Sequence, residues 1–228
     1  MVLEALAAAE VETVFLLDGD ESLIPVAEAA EAAGVPPIPV TEGVMRSLTD
    51  TSTPQGAVAV VTRSESDLRS LPASLDLALV LVSVRDPGNA GTLIRSSVAA
   101  GAGAVIFTGQ SVDPFGPKTV RSSAGMLFRT SIVISQSVDE VTDALRSRGV
   151  RLVGAEAGAP LSHHDADLTK PVAFAVGNEA WGLPQEVRAL LDETVAIDMP
   201  GPAESLNVGI AGSLLLFEAV RQRRARAL

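Results

Sequence analysis

Short apolar runs recur along the whole chain, and longer segments of mixed apolar and charged residues separate them. The short runs have the length of buried strands, and the longer mixed segments have the length of helices. Gly, Pro, Asn and Asp mark turns between the two kinds of segment. Strands that alternate with helices predict an α/β fold with a mostly parallel sheet and helices on both faces.

The pattern divides the sequence into two predicted domains. A small N-terminal α/β domain, 1–62, precedes a linker rich in Ser, Arg and Asp, 63–75, and a larger domain, 76–228. In the small domain we expect strands at 14–17, 38–40 and 56–61 and helices at 21–33 and 41–48. In the larger domain we expect strands at 77–82, 104–107, 131–134, 150–154, 171–176 and 195–199, and helices at 90–100, 120–128, 138–148 and from Ser205 to about Glu218.

Composition narrows the class of protein. Hydrophobic residues make up 47% of the 228-residue chain and charged residues 20%, which is typical of a globular protein. The absence of Cys excludes disulfides, thiolate zinc sites and cysteine nucleophiles. No apolar run is long enough to span a bilayer, and the acidic start lacks the basic region of a signal peptide. We therefore expect a cytoplasmic protein without membrane contact.

The net charge of -11 is concentrated in the first third of the chain. Residues 1–78 hold thirteen acidic and three basic residues, whereas residues 79–228 hold fifteen and fourteen. Nucleic-acid-binding proteins usually carry a basic face. The N-terminal third therefore argues against broad electrostatic attraction to RNA or DNA.

Three segments that follow predicted strands combine turn residues with polar side chains. In the first segment, 89–95, we expect Asn89 and Thr92 to satisfy free donors at a helix start. Arg95 follows among apolar residues, where a permanent charge is costly unless it faces a site. The alternative is a structural ion pair with an acid such as Glu179.

The second segment, 176–184, contains two glycines and a proline, which force a tight loop whose amides can face a ligand. Glu179 offers a carboxylate in this loop, and Trp181 offers a flat apolar wall. The third segment, 197–208, turns at Pro200–Pro202, and Ser205 is the expected N-cap of the helix that follows. Taken alone, the third segment could equally be an ordinary strand-to-helix turn.

The sequence lacks the motifs of several other common classes of enzyme and nucleotide-binding protein. Neither a dinucleotide-binding fingerprint nor a Walker-type Gly-Lys-Ser/Thr is present, and no Ser-x-x-Lys or Gly-x-Ser-x-Gly nucleophile signature occurs. The adjacent His163 and His164 have no third ligand at metal-binding spacing. We therefore interpret them as surface residues and predict no metal site.

Together, the three segments closely resemble the signature motifs of the SpoU/TrmH family of RNA ribose 2'-O-methyltransferases, in the knotted SPOUT class. The strong resemblance covers about 79–220, including Ala99, Gly101 and residues 118–129. More weakly, residues 1–62 resemble the family's small substrate-binding domain, and Thr49–Gly56 is typical of that domain's end. The resemblance implies a deep C-terminal trefoil knot, a homodimer and S-adenosylmethionine as methyl donor, without a metal.

The resemblance also implies site residues. Those of the catalytic set are Arg95, Glu179, Ser205 and Asn207. Those of the cofactor site are Gly177, Ile197, Met199, Leu206 and Val208, with Thr108 and Gly109 as weaker candidates. Those expected to bind RNA are Asn89, Lys118, Arg121 and Arg129. The C-terminal helix ends in a basic tail formed by Arg221, Arg223, Arg224 and Arg226. This tail either contacts RNA or complements the helix dipole.

The resemblance implies S-adenosylmethionine-dependent 2'-O-methylation of a structured RNA. We expect 23S ribosomal RNA, because a separate N-terminal domain is usual in the ribosomal RNA enzymes of this family. The alternatives are a transfer RNA 2'-O-methyltransferase, a non-catalytic RNA- or ribosome-binding protein that retains the fold, and an α/β enzyme that uses another nucleotide. Family members commonly begin with a basic segment and an extra strand before the counterpart of Val2–Ala7. We therefore expect this sequence to enter that domain midway.

Overall fold

The computed structural model describes residues 1–49, 55–63 and 66–226. The chain divides into two compact units, Met1–Ser64 and Glu65–Leu228. Most of the segment Thr49–Gly56, which the sequence predicts to end the small domain, lies outside the described residues.

The first unit contains helices and a three-stranded sheet of β1 Val11–Leu17, β2 Ile38–Val40 and β3 Ala57–Val61, in the order β2-β1-β3. Strand β1 pairs parallel with β2 and antiparallel with β3. Val14, Leu16, Leu23 and Ala30 form its buried core. The elements are α1 Val2–Ala8, β1 Val11–Leu17, α2 Ile24–Ala32, β2 Ile38–Val40, α3 Glu42–Ser47 and β3 Ala57–Val61, with a 3-10 turn at Glu21–Leu23.

The second unit is built on a six-stranded parallel sheet with the order β6-β5-β4-β8-β7-β9. Its strands are β4 Leu77–Val82, β5 Ala104–Thr108, β6 Ser131–Ser135, β7 Arg151–Ala155, β8 Val172–Val176 and β9 Glu193–Val195. Its helices are α4 Pro87–Ala99, α5 Pro117–Ser122, α6 Val138–Arg146, α7 Gln185–Arg188 and α8 Val208–Arg226, with 3-10 turns at Leu68–Ser70 and Met126–Arg129.

Helices cover both faces of this sheet, which explains why β4, β5 and β8 are continuous apolar runs. On one face Leu93 of α4 and Leu215 of α8 belong to the main core. On the other face Val141 and Leu145 of α6 belong to a second core. Leu71, from the segment expected to be a linker, is buried in that second core. The predicted α/β fold class is confirmed.

Helices α4 and α5 differ from their predicted extents. Helix α4 begins at Pro87, not at 90, because Pro87 suits the first helical position and Asp86 caps the helix. The Asp86 side chain accepts a hydrogen bond from the Asn89 amide at 2.8 Å, so Asn89 is not the cap. The predicted helix 120–128 is wrong because positive φ angles at Ala124 and Gly125 end α5.

The structure of the third segment also differs from the prediction. Strand β9 ends at Val195, and beyond it Ala196 makes only an isolated bridge with Ser162. Asn207 caps α8 instead of Ser205, since its Oδ1 accepts from the amides of Gly209 at 2.9 Å and Ile210 at 3.3 Å. Helix α8 then continues to Arg226, eight residues beyond the predicted end.

Within the described residues, no helix combines the length and the hydropathy needed to cross a bilayer.

Candidate functional site

The carboxyl end of the parallel sheet carries a pocket of about 590 Å³. Ligands of open α/β sheets bind at this edge because the loops that follow the strands converge there. The second and third segments form most of its wall. All five stronger cofactor candidates line it, namely Gly177, Ile197, Met199, Leu206 and Val208. The weaker candidates Thr108 and Gly109 are not among the lining residues.

Gly177 has no room for a side chain. A Cβ atom at this position would overlap backbone atoms of Gly182 and Leu183. The overlap arises because the second segment folds back on itself, with paired backbone hydrogen bonds between Asn178 and Gly182 at 3.0 and 2.9 Å. The buried Asn178 side chain then donates to the Ser83 carbonyl at 2.8 Å and accepts from the Ala180 amide. The loop is therefore rigid and closely apposed to the end of β4.

Glu179 lies at the N-terminus of α4. Its carboxylate accepts hydrogen bonds from the backbone amides of Arg85 at 3.4 Å and Asp86 at 3.2 Å. It also accepts from Nδ2 of Asn89 at 3.1 Å. An anion is favoured at this position because free amides and the helix dipole are positive there. The second segment is thus hydrogen-bonded to the first segment and to the turn that precedes it.

Asn89 also joins the third segment. Its Oδ1 accepts from Nδ2 of Asn207 at 2.9 Å, while its own Nδ2 donates to Glu179. The three sequence segments therefore meet in one hydrogen-bonded chain that runs from Glu179 through Asn89 to Asn207. Sequence reasoning identified all three residues but assigned Asn89 to RNA and did not predict the chain.

The hydrogen bonds set the ionisation of Glu179. Burial raises the pKa of this carboxyl, but the hydrogen bonds from Asn89 and from the amides of Glu179, Asp86 and Arg85 together lower the pKa below its ordinary value. Glu179 is consequently a stable anion and a hydrogen-bond acceptor near neutral pH.

Trp181 forms an exposed wall of the pocket, with 57% of its surface accessible. The guanidinium carbon of Arg85 lies 5.4 Å from the centroid of the Trp181 ring, within the range of a cation–π contact. The Arg85 side chain also donates to the Gln110 amide oxygen. Sequence reasoning identified Trp181 but missed Arg85, whose position in a turn gives no signal of this contact.

Arg95 is exposed on α4 and does not line the pocket. Among the described residues it forms no ion pair, so the alternative of a structural pair with Glu179 is wrong. Helix α4 packs against α8 one residue further on, where the hydroxyls of Ser96 and Ser213 lie 2.7 Å apart. Arg95 is therefore a free cation beside the helix that carries Asn207.

Helix α5 packs against the start of α4. The Ser122 hydroxyl donates to the Pro87 carbonyl at 2.8 Å, and a Cβ at Gly91 would overlap Ser122. Lys118 of the same helix lies 3.9 Å from the Asp86 carboxylate. Of the other predicted RNA-binding residues, Arg121 and Arg129 are exposed.

Much of the basic tail is engaged within its own unit. Arg221 pairs with Glu218 at 2.7 Å, and Arg223 donates to the carbonyls of Asp76 at 2.8 Å and Leu168 at 3.2 Å. Arg226 donates to the Thr169 hydroxyl. These contacts explain why α8 extends past the predicted end, because its last turns are anchored by side chains.

The charges of the pocket disfavour a polyphosphate ligand. Its lining includes one basic residue, Arg188, whose guanidinium is paired with Glu156 at 2.7 Å. The remaining charged lining residue is the anion Glu179. A pocket with apolar walls, loop amides and negative side chains suits a neutral or cationic ligand with a flat apolar group.

Two family models match the chain. The model described as the SpoU rRNA Methylase family matches residues 76–217. The model described as RNA 2'-O ribose methyltransferase substrate binding matches residues 1–66.

Curated relatives agree with these matches. The chain is 42% identical to the 23S rRNA (uridine(2479)-2'-O)-methyltransferase of Streptomyces viridochromogenes over 75% of this chain and 61% of that protein. It thus spans less than two thirds of that relative's length. It is 34% identical to the 23S rRNA (guanosine-2'-O-)-methyltransferase RlmB of Ralstonia nicotianae over 86% of this chain and 81% of that protein.

Two solved structures are similar to this chain over nearly its full length. The SpoU methyltransferase AviRb from Streptomyces viridochromogenes, in complex with its cofactor AdoMet, is 33% identical with a TM-score of 0.88, covering 98% of this chain and 87% of that one. The AdoMet-bound rRNA methyltransferase from Sinorhizobium meliloti is 33% identical with a TM-score of 0.84, covering 96% and 84%.

Proposed function

Because this chain belongs to the SpoU rRNA methylase family, we propose that it transfers a methyl group from S-adenosylmethionine to a ribose 2'-hydroxyl of ribosomal RNA. The observation that carries this proposal is the pocket in which the three family segments meet through Glu179, Asn89 and Asn207. A non-catalytic protein with this fold has no need to keep that hydrogen-bonded chain together with a free Arg95.

The pocket fits S-adenosylmethionine on physical grounds. Ile197, Met199, Leu206 and Val208 supply apolar walls for a flat base, and the close approach at Gly177 exposes loop backbone. The sulfonium is cationic, and the charged side chains in the lining are Glu179 and the paired Glu156 and Arg188. This electrostatic balance disfavours ATP or NAD, the ligands of the rival α/β enzyme.

When bound, S-adenosylmethionine supplies a methyl group on a good leaving group. The protein would have to orient the RNA 2'-hydroxyl in line with that carbon and stabilise the negative charge that develops on its oxygen as the proton passes to water, while the O–CH₃ bond forms and the S–CH₃ bond breaks. We assign this stabilisation to Arg95, because a guanidinium stays protonated and donates several hydrogen bonds but cannot act as a base.

The remaining catalytic candidates divide into two roles. Asn207 has both ends of its amide engaged, with Gly209 and Ile210 on one side and Asn89 on the other. Asn207 and Glu179 therefore act as positioning residues. The Ser205 hydroxyl is exposed, lines the pocket and has no hydrogen-bond partner among the described residues. Ser205 is the residue best suited to contact the ribose.

We infer that the RNA substrate is 23S ribosomal RNA. The two curated relatives described above act on 23S rRNA by name, and both family models match this chain. A cytoplasmic location follows from that substrate. The strong negative charge of residues 1–78 means that Lys118, Arg121 and Arg129 of the second unit supply the cationic contacts to the phosphates.

We also propose a homodimer formed through α8. Ile210, Leu214 and Phe217 lie at the spacing of one helix face, and their accessible fractions are 50%, 42% and 47%. An exposed apolar stripe of this kind marks an interface rather than a solvated surface. Leu206, at the pocket wall, is also exposed, so the same interface would adjoin the pocket. The trefoil knot remains a prediction from the resemblance.

Isothermal titration tests the cofactor assignment. We expect S-adenosylmethionine to bind at one molecule per chain and ATP and NAD not to bind at the same concentrations. Binding of ATP or NAD without S-adenosylmethionine would remove the methyltransferase proposal.

A further inference from the structure

Beyond the methyl-transfer activity, we propose that His163, His164 and Asp198 bind a transition-metal ion of the zinc class. Each of the three side chains offers one ligand atom, and these atoms all lie within 4.8 Å of one another. The two histidines come from the loop after β7, and Asp198 comes from the third segment. Sequence reasoning found no third ligand because Asp198 lies far from the histidines along the chain.

His163 is not the surface residue that the sequence predicts. It is 5% exposed, and its Nδ1 atom is buried without a hydrogen-bond partner in the described structure. Buried polar atoms normally have a partner, and the lack of one calls for an explanation. A metal ion coordinated by Nδ1 would give this atom a partner.

His164 is oriented as metal-binding histidines are. Its ring lies against that of His163, with centroids 3.8 Å apart, and its Nδ1 lies 3.5 Å from the Glu218 carboxylate. A carboxylate that accepts from Nδ1 holds the tautomer in which Nε2 carries a free electron pair. Glu218 itself is 6% exposed and is held by Arg221 and Gln222. The carboxylate is therefore fixed in place and orients His164.

The donor set selects the class of metal. Two imidazoles and one carboxylate suit Zn²⁺ and its neighbours Co²⁺, Ni²⁺ and Cu²⁺, whereas Mg²⁺ and Ca²⁺ prefer oxygen ligands alone. Ligand atoms around a tetrahedral zinc are about 3.3 Å apart, and the exposed His164 and Asp198 side chains can rotate to close the difference.

A metal bound at this site would restrain the third segment, which carries Asp198. Asp198 lies between Ile197 and Met199, which both line the cofactor pocket. The loop that carries the histidines already pairs with this segment, since the His163 amide donates to the Ala196 carbonyl at 2.8 Å. The Ser162 hydroxyl donates to Asp198 at 2.6 Å. A metal would add a bond between the loop and the segment next to the pocket.

Titration of the full chain without a polyhistidine tag tests the proposal, using ZnCl₂ for calorimetry and CoCl₂ for visible absorption. The chain contains only two His and no Cys, so any imidazole–cobalt band reports this site. We expect one ion per chain, with affinity at least tenfold weaker in His164→Ala and in Asp198→Asn. Asp165→Asn, an exposed neighbour outside the cluster, should leave the affinity unchanged.

Circular dichroism and S-adenosylmethionine titration of each variant establish that the fold and the cofactor pocket are retained. The exposed His164 and Asp198 are chosen because replacement of the buried His163 could unfold the loop. Absence of Zn²⁺ and Co²⁺ binding to the native chain would overturn the proposal. Binding that is equally strong in both variants would overturn it as well, since the metal would then bind elsewhere.

Discussion

Asn89 and Asn207 are 118 residues apart in the chain, yet their side-chain amides share a hydrogen bond of 2.9 Å. Asn89 simultaneously donates to Glu179, so one side chain in the first turn of α4 joins the other two family segments. The bond also orients the residue that caps α8. The side-chain amide of Asn89 therefore connects the loop of Glu179 at the pocket, helix α4 and the start of helix α8.

Loss of Glu179 should weaken this coupling. The Glu179→Ala change leaves the Asn89 amide and the backbone amides of Arg85 and Asp86 without their acceptor. These donors are at least partly exposed, so water can replace the lost acceptor, and the net loss is that of a typical hydrogen bond, about 0.5–1.5 kcal/mol. We expect the free energy of unfolding to fall by that amount and S-adenosylmethionine to bind at least fivefold more weakly. Urea denaturation and calorimetry measure both, with the exposed Glu186→Ala as the matched control. Equal effects in the two variants would contradict the assigned role.

Low pH should destabilise the second unit, in part because the Glu179 carboxylate becomes protonated. The folded-state pKa of Glu179 lies below the ordinary value of a glutamate carboxyl, so its contribution to stability is present above that ordinary value and is lost as pH falls through the folded-state pKa. In Glu179→Gln, the free energy of unfolding should depend less steeply on pH in the acid range. Urea denaturation at a series of pH values tests this. Identical acid profiles for the two proteins would refute it.

Gly177 should tolerate no side chain. In Gly177→Ala the new methyl group would overlap the backbone of Gly182, so the second segment must open. Overpacking of this kind costs about 1–3 kcal/mol, and backbone neighbours cannot move aside cheaply. We expect reduced thermal stability and loss of S-adenosylmethionine binding. Gly201→Ala is the control, because a Cβ there meets nothing within 4 Å. Normal cofactor binding by Gly177→Ala would show that the close approach is unnecessary.

Arg95 should affect the chemical step and not cofactor binding. It lies outside the pocket lining and forms no ion pair within the described structure. Removal of one donor to a developing oxyanion lowers the rate about 10²–10³-fold. We expect that loss in single-turnover methyl transfer by Arg95→Ala, with the dissociation constant for S-adenosylmethionine within twofold of the native value. Arg69→Ala, an exposed arginine of the same unit, is the control. A cofactor-binding defect in Arg95→Ala equal to its rate defect would contradict this assignment.

The proposed dimer depends on the apolar face of α8. Leu214→Glu places a charge in the middle of that face, and in a symmetric interface the two charges would both be desolvated. We expect the dimer dissociation constant to rise at least tenfold in light scattering and sedimentation. Ile24→Glu replaces a comparably exposed apolar residue of the first unit and should leave the native dimer intact. A native chain that is monomeric at micromolar concentration would contradict the proposal.

The sequence predicts the local elements better than their ends. Strands such as β4 and β8 are recognisable because they are buried on both faces and therefore continuously apolar. The start of α4 was misplaced because Asp86 and Asn89 are both good caps, and only the Pro87 geometry selects Asp86. The end of α8 was missed because its last turns are held by contacts of Arg223 and Arg226 with distant residues.

The family resemblance predicts the candidate site residues but not the contacts between them. Nothing in the local sequence shows that Asn89 bridges Glu179 and Asn207, because the bridge depends on how strands far apart in the chain adjoin in the sheet. The same limitation applies to His163 and His164. The burial of His163 and the proximity of both histidines to Asp198 arise from the pairing of Ala196 with Ser162.

Transfer of labelled methyl from S-adenosylmethionine to unmodified 23S rRNA, and separately to bulk unmodified transfer RNA, tests the central claim most directly. We predict label in the ribosomal RNA, located on a ribose 2'-oxygen after nuclease digestion, and its loss with Arg95→Ala. Label in transfer RNA alone would contradict the assigned substrate. Label in neither RNA, despite bound S-adenosylmethionine, would contradict the assigned activity.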